Sequence, residues 1–194
     1  MLQVDKIVNS IFDSITWLLS ETEGNQVWLV DCGDIDPIIE KISSRDIVGV
    51  LLTHAHFDHI YGLPELVKRF PKCKIYTNEY GRDTLADAKL NMSLYHEMPL
   101  TFEGPQVQIC GEGDEITIFH EVIAKIYETP GHHPSCLTIK VNDYMFTGDA
   151  YIPGVKVVTN LPKGNKKMAL ESLEKILKMI HDKHICPGHK VNEI

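Results

Sequence analysis

The stretch Thr53-His54-Ala55-His56-Phe57-Asp58-His59 decides how this chain is read. It follows Ile47 to Leu52, a continuous apolar run of the kind found in a strand covered on both faces. It precedes Gly62 and an amphipathic helix marked by Leu63, Leu66, Val67 and Phe70. Side chains alternate along a strand, so His54 and His56 point the same way. Asp58 and His59 fall on the turn into the helix, where the backbone can curl them toward the same point. One such histidine alone reads as an ordinary core or cap residue. Four ligand-type side chains within six residues read as a metal site, because imidazole and carboxylate are good donors to Zn²⁺ and related ions.

Three further phrases repeat the arrangement. Thr129-Pro130-Gly131-His132, Gly148-Asp149 and Pro187-Gly188-His189 each place a His or Asp just past an expected strand, beside Gly or Pro. Such positions project side chains from a rigid scaffold into an open mouth. His133 is a second imidazole on the same loop as His132 and a possible substitute for it. Asp31, in Val30-Asp31-Cys32-Gly33, ends a strand where a carboxylate can take the second N–H of a metal-bound imidazole.

Around these motifs the pattern mixes strands and helices. Strands are expected at Ile15 to Leu19, Val27 to Val30, Lys74 to Thr77, Ile116 to Phe119, Val122 to Tyr127, Leu137 to Val141, Tyr144 to Phe146 and Lys183 to Cys186. Asn142-Asp143 is a two-residue turn signal. Helices are expected after Asp36-Pro37, from Arg82 to Lys89 and from Asn165 to His181. Each half reads as antiparallel strands followed by helices, which implies two packed sheets with helices outside.

Composition narrows the class. With 194 residues, 43% apolar and 24% charged, the chain is expected to form one globular domain over residues 1–194. A net charge of −8 disfavours a protein built to grip nucleic acid, which needs a basic face. No apolar run is long enough for a membrane span. Met1 to Ser20 is broken by Asp5, Lys6, Asn9 and Asp13 and does not read as a secretion signal. The five cysteines are scattered and include no C-x-x-C pair. Free thiols and a cytoplasmic location are therefore expected.

The motifs T-H-A-H-F-D-H, T-P-G-H, T-G-D and P-G-H, in this order, resemble the metallo-β-lactamase superfamily, and within it the glyoxalase II-like (hydroxyacylglutathione hydrolase-like) hydrolases. The resemblance runs from about Ile15 to His189 and includes Asn91-Met92-Ser93, a loop phrase of glyoxalase-like members. It implies an α/β fold, the αββα four-layer sandwich. By motif position it implies that His54, His56 and His132 hold one metal, that Asp58, His59 and His189 hold a second, and that Asp149 bridges them. Motif position also favours His132 over His133. The cofactors implied are two Zn²⁺, with Fe or Mn compatible with the same N and O donors.

The activity implied is hydrolysis of a small thioester or ester by hydroxide generated between the metals, with a small-molecule substrate and no covalent nucleophile. Asp58 would orient that hydroxide, and Tyr151 is a candidate donor to the oxyanion. Lys156, Lys163, Lys166 and Lys167 could meet an anionic substrate, and His96 could line the mouth of the site. Alternatives on the same core are a lactonase or phosphodiesterase, and, in another class, an Fe-dependent persulfide dioxygenase-like oxidoreductase. Glyoxalase II enzymes carry a C-terminal helical region that helps hold glutathione. The sequence runs only five residues past His189, so weak binding of glutathione thioesters is expected.

Overall fold

The computed structural model describes residues 1–97 and 99–191. Met98 and residues 192–194, the last part of the expected 1–194 domain, lie outside the described residues. Strands β1 (Leu2–Val8), β2 (Ile15–Glu21), β3 (Gln26–Val30), β4 (Asp46–Leu51), β5 (Lys74–Thr77) and β6 (Val107–Ile109) form a six-stranded sheet in that order. Strands β7 (Glu115–Phe119), β8 (Val122–Glu128), β9 (Leu137–Val141), β10 (Tyr144–Gly148) and β11 (His184–Pro187) form a five-stranded sheet, ordered β11-β10-β9-β8-β7. Helices α1 (Ile35–Ile42), α2 (Leu63–Arg69), α3 (Glu79–Leu85) and α4 (Lys166–Met179) complete the layers.

Strand alternation distributes the apolar side chains between two cores. Leu18, Leu29 and Val50 pack with Ile38 and Ile42 of α1 and with Leu63 and Leu66 of α2. Their neighbours Leu19, Val30 and Leu51 face the other way and meet Ile126, Leu137, Ile139 and Phe146 of the second sheet. Strands β2 to β4 are thus largely apolar on both sides, because both of their faces are covered. Helix α4 covers the outer side of the second sheet, where Ile176 meets Cys136 and Ala150. The order helices, sheet, sheet, helix is the expected αββα sandwich.

The expectation of antiparallel strands holds only in part. β1-β2-β3 and β7-β8-β9-β10 are antiparallel. The pairs β3–β4, β4–β5, β5–β6 and β10–β11 are parallel. Helices α1 and α2 are the crossovers that parallel neighbours require. The expected helix from Arg82 to Lys89 lies instead at Glu79–Leu85. Asn78 caps it by accepting from the Gly81 N–H at 2.8 Å, and Asp87 Oδ1 then takes the N–H groups of Lys89 and Leu90 into a turn. β1 and β6, which the sequence pattern does not announce, are the two edges of the first sheet. An edge strand tolerates charges such as Asp5 and Lys6 at its middle.

What matters for chemistry is direction. The chain leaves β3, β4, β8, β10 and β11 into loops carrying, in turn, Asp31, the 53–59 stretch, His132, Asp149 and His189. All five loops gather at one rim of the sandwich.

Candidate metal centre

Two close approaches position the loops. Gly148 ends β10 with φ of 50°, and a Cβ there would stand 2.5 Å from Thr53 Oγ1. Gly188 presses so closely on the site that its Cβ would meet Asp149 Oδ1 at 2.3 Å. The glycines before Asp149 and His189 thus let those loops close on the 53–59 stretch.

The convergence is tight. His54, His56 and His132 each bring a ligand atom to within 4.8 Å of the others. Asp58, His59 and His189 do the same, as do His54, His59 and Asp149. Asp149 lies between the trios, with Oδ1 3.6 Å from His59 Nε2 and Oδ2 3.5 Å from His132 Nε2.

Backbone and carboxylate acceptors orient the imidazoles. His59 Nδ1 donates to Asp31 Oδ2 at 2.9 Å, His132 Nδ1 to the Val158 carbonyl at 2.9 Å and His189 Nδ1 to the Phe12 carbonyl at 2.8 Å. In each ring Nε2 is the nitrogen left for the centre, the usual outer arrangement of metal-ligating histidines. Asp31 also accepts from the backbone N–H and the hydroxyl of Thr53, both at 2.7 Å. Ser14 donates to the Asp58 carbonyl at 2.7 Å and fixes the next turn. Thr53, Ser14 and the Phe12 carbonyl were not legible as site residues, because none is a metal-type ligand.

Electrostatics fit a cation. Burial and the surrounding imidazoles hold His54 well below the usual histidine range, and the same causes lower His56 to about 3. Burial opposes charge on His189 too, but hydrogen bonds to Asp149 and Asp58 outweigh it and raise the ring to about 10. His59 is likewise buried, and Asp58 and Asp31 raise it well above its ordinary value. Burial alone would raise Asp58, yet His59 and His189 hold its carboxyl well below the usual range. Among the described buried polar atoms, His54 Nε2, His56 Nε2 and Asp149 Oδ1 have no hydrogen-bond partner. Buried imidazole nitrogens and a carboxylate oxygen left unpaired in such a cluster are costly unless something binds there. A metal ion fits this set.

His133 stands apart from the trios. Its Nδ1 accepts from the Ser135 N–H at 3.2 Å and pairs with the Ser135 hydroxyl at 2.8 Å, which in turn takes the Ala55 N–H. Burial lowers the ring to about 4, with help from His132 and Lys163. Tyr151 is not brought to the centre. Its ring packs with Cys136, Ala150 and Ile176 and lines a neighbouring groove with Lys156 and Lys166. The expected oxyanion role therefore has no geometric support. The backbone leaves Asp149 through Ala150 toward α4, and Thr147 holds the Tyr151 carbonyl at 2.6 Å. His96 does reach the mouth, stacked 4.3 Å from Phe57.

The family profile described as Metallo-beta-lactamase superfamily matches residues 14–189. The chain belongs to this superfamily. A hydroxyacylglutathione hydrolase of Tolumonas auensis is 28% identical over 193 residues, covering 98% of this chain and 66% of that protein. One from Xylella fastidiosa is 31% identical over 175 residues, covering 90% and 58%. The chain thus spans about three fifths to two thirds of the length of these curated relatives. Among solved structures, the B3 metallo-beta-lactamase BLEG-1 superposes with a TM-score of 0.88 at 23% identity, covering 97% of this chain and 92% of that one. TTHA1623, solved in a di-iron-bound form, gives 0.81 at 23% identity over 97% and 93%. These structural likenesses establish the superfamily's fold.

Metal loading of this centre is expected to release protons. In the metal-free protein the neighbouring carboxylates favour protonation of His59 and His189, raising the first well above its ordinary value and the second to about 10. A ligating imidazole must be neutral, so loading expels those protons and apparent affinity rises with pH through neutrality. Calorimetry of Zn²⁺ binding in buffers of different ionisation enthalpy measures this. A binding enthalpy independent of the buffer would contradict it.

Proposed function

We propose that the centre holds two metal ions and that the protein is a dinuclear metal-dependent hydrolase of a small thioester or ester. His54, His56 and His132 would hold the first ion, Asp58, His59 and His189 the second, and Asp149 would be shared between them. The observation that carries this reading is the position of Asp149, whose carboxylate lies within 3.6 Å of His59 and His189 of one trio and 3.5 Å of His132 of the other. The superfamily membership and the hydroxyacylglutathione hydrolase relatives support it. The N and O donor set suits Zn²⁺ first, with Fe or Mn compatible.

Bound at this centre, the ions polarise a carbonyl oxygen and make water nucleophilic near neutral pH. The chain supplies the rest. Asp58 Oδ2 lies 3.4 Å from His59 Nε2 and 3.3 Å from His189 Nε2, with an edge open to the cleft. From there it would orient the attacking water. Asp31, the Val158 carbonyl and the Phe12 carbonyl keep the imidazoles fixed during turnover, so little reorganisation is needed.

A covalent cysteine route has no support. All five cysteines are free and buried. Burial raises Cys73, Cys110 and Cys186 to about 12, and Cys32 and Cys136 also lie well above the ordinary thiol range. Five free thiols are also consistent with a reducing, cytoplasmic setting.

His132→Ala is expected to lose about one metal equivalent, while His133→Ala keeps both. Elemental analysis of protein reloaded with excess Zn²⁺ checks this, and the reverse pattern would move the ligand one residue along the loop.

Thioesters, simple activated esters and lactones are expected to be hydrolysed with higher kcat/KM than bis-p-nitrophenyl phosphate or a β-lactam. A phosphodiester preferred by tenfold or more would replace the thioesterase reading with the phosphodiesterase one.

A further inference from the structure

A cleft of about 520 Å³ opens over the candidate centre. Apart from the candidate ligands themselves, its described lining is Phe12, Phe57, Met92, Tyr95, His96, Val158 and Leu161. None of these is Lys or Arg. Lys156 and Lys166 line the groove beside Tyr151, and Lys156 also lines a small pocket behind His132 and Asp149, outside this cleft. Apart from the candidate ligands, an anionic substrate tail would find no Lys or Arg on this described wall, while an apolar one would find aromatic and aliphatic surface.

The wall is built rather than accidental. Phe12 is two thirds exposed (67%), an unusual position for a large aromatic ring. Its backbone takes φ of 55° and Asp13 follows at 52°, both left-handed and costly for residues with a Cβ. The turn is clamped from both sides. Asp34 accepts from the Ser10 N–H at 2.7 Å, the Ser10 hydroxyl at 2.9 Å and the Tyr61 hydroxyl at 2.6 Å. The Asn9 N–H closes onto the Ser14 carbonyl at 2.8 Å, and the Lys190 N–H onto Asp13 at 3.0 Å. Held this way, the Phe12 ring meets His96 edge-on at 5.8 Å, and His96 in turn lies over Phe57 at 4.3 Å. The ledge Phe12–His96–Phe57 runs directly beside Asp58 and His189. A strained, clamped turn that fixes an exposed ring at the edge of a reactive centre is a pre-organised binding surface.

We propose that the preferred substrate carries an uncharged, apolar chain or ring beside its scissile bond, that this group lies on the Phe12–His96–Phe57 ledge, and that Phe12 determines specificity. This rests on the hydrolase reading above. The apolar group belongs either to the acyl part or to the leaving group, and the ledge suits both. Burying one methylene on such a surface strengthens binding by up to about fourfold. Four added methylenes are therefore expected to give at least about a tenfold gain even when the chain stays partly wet.

Two measurements on the metal-loaded protein test this. The first reads binding without turnover, by calorimetry with 2-butanone, 2-hexanone and 2-octanone. Affinity is expected to rise at least tenfold from the shortest to the longest. Phe12→Ala should cut that gain to threefold or less, and Phe12→Leu should restore most of it, which a merely structural role for residue 12 would not produce. The second reads kcat/KM in two arms: acetyl, butyryl and hexanoyl thioesters of N-acetylcysteamine, and acetyl thioesters of ethanethiol, butanethiol and hexanethiol. The arm that gains tenfold with length identifies which side of the scissile bond occupies the ledge. S-acetylglutathione, with its charged peptide, should fall below the best member of that arm. Ketone binding that rises with length in a protein without hydrolase activity would sink the proposed reaction and leave the ledge standing. Ketone affinities that stay within threefold, or S-acetylglutathione outperforming every apolar thioester, would overturn the ledge as the specificity surface.

Discussion

A single buried carboxylate ties this structure together. Asp31 ends β3 in a left-handed conformation with φ of 60° and accepts three hydrogen bonds, two from Thr53 and one from His59. Through Thr53 it fixes the start of the 53–59 stretch, and through His59 it orients a ring on that stretch. Thr53 also gives its carbonyl to the Leu137 N–H of the second sheet at 2.7 Å and supplies the surface on which Gly148 closes. The two sheets, the ligand stretch and the loop carrying Asp149 thus share one joint. A buried anion costs several kcal/mol unless its lone pairs are filled. Here they are filled by the groups that must be held still, so the cost of burial and the order of the site are coupled.

Much of this was legible in the sequence, for physical reasons that differ by element. The strands β2 to β4 announce themselves because burial on both faces gives each a run of apolar residues with few polar interruptions. The ligand motifs are legible because a metal site needs particular side chains at fixed spacing from strand ends. The phrase Asn91-Met92-Ser93 is legible as a motif but reveals its work only in three dimensions. Asn91 takes the Phe57 N–H on its carbonyl and ties the loop to Leu100 with its side chain. What stays hidden are β1 and β6, because edge strands obey weaker rules, and the parallel pairing of β3 to β6. Pairing direction depends on the crossover helices and leaves little trace in any one strand.

The neighbourhood of the centre was less legible than the centre. Tyr151 stands two residues past Asp149, and proximity in sequence invited a catalytic role. The backbone turns away between them, and its ring joins the packing beneath α4. Phe12 is the opposite case. It lies far from every ligand in sequence, yet its carbonyl holds His189 and its ring edges the cleft. Nothing in a local pattern signals a contact that exists only because the start of β2 and the end of β11 meet at Ser14 and His189. Side chains chosen for chemistry can be read from their type. Surfaces chosen for shape depend on the completed fold.

The strands that deliver ligands all do so at one rim, so the opposite rim carries connections and the start of the chain rather than candidate ligands. The turns at 22–25, 120–121 and 142–143 join β2 to β3, β7 to β8 and β9 to β10 there, a full strand length from the centre. Chemistry and chain reversal are thereby assigned to different ends of the same sandwich. A label, an affinity handle or a fused partner placed in one of those turns would be carried on the same rigid scaffold without entering the reactive mouth. The far rim is thus a natural attachment face for immobilisation or for building this domain into a larger assembly.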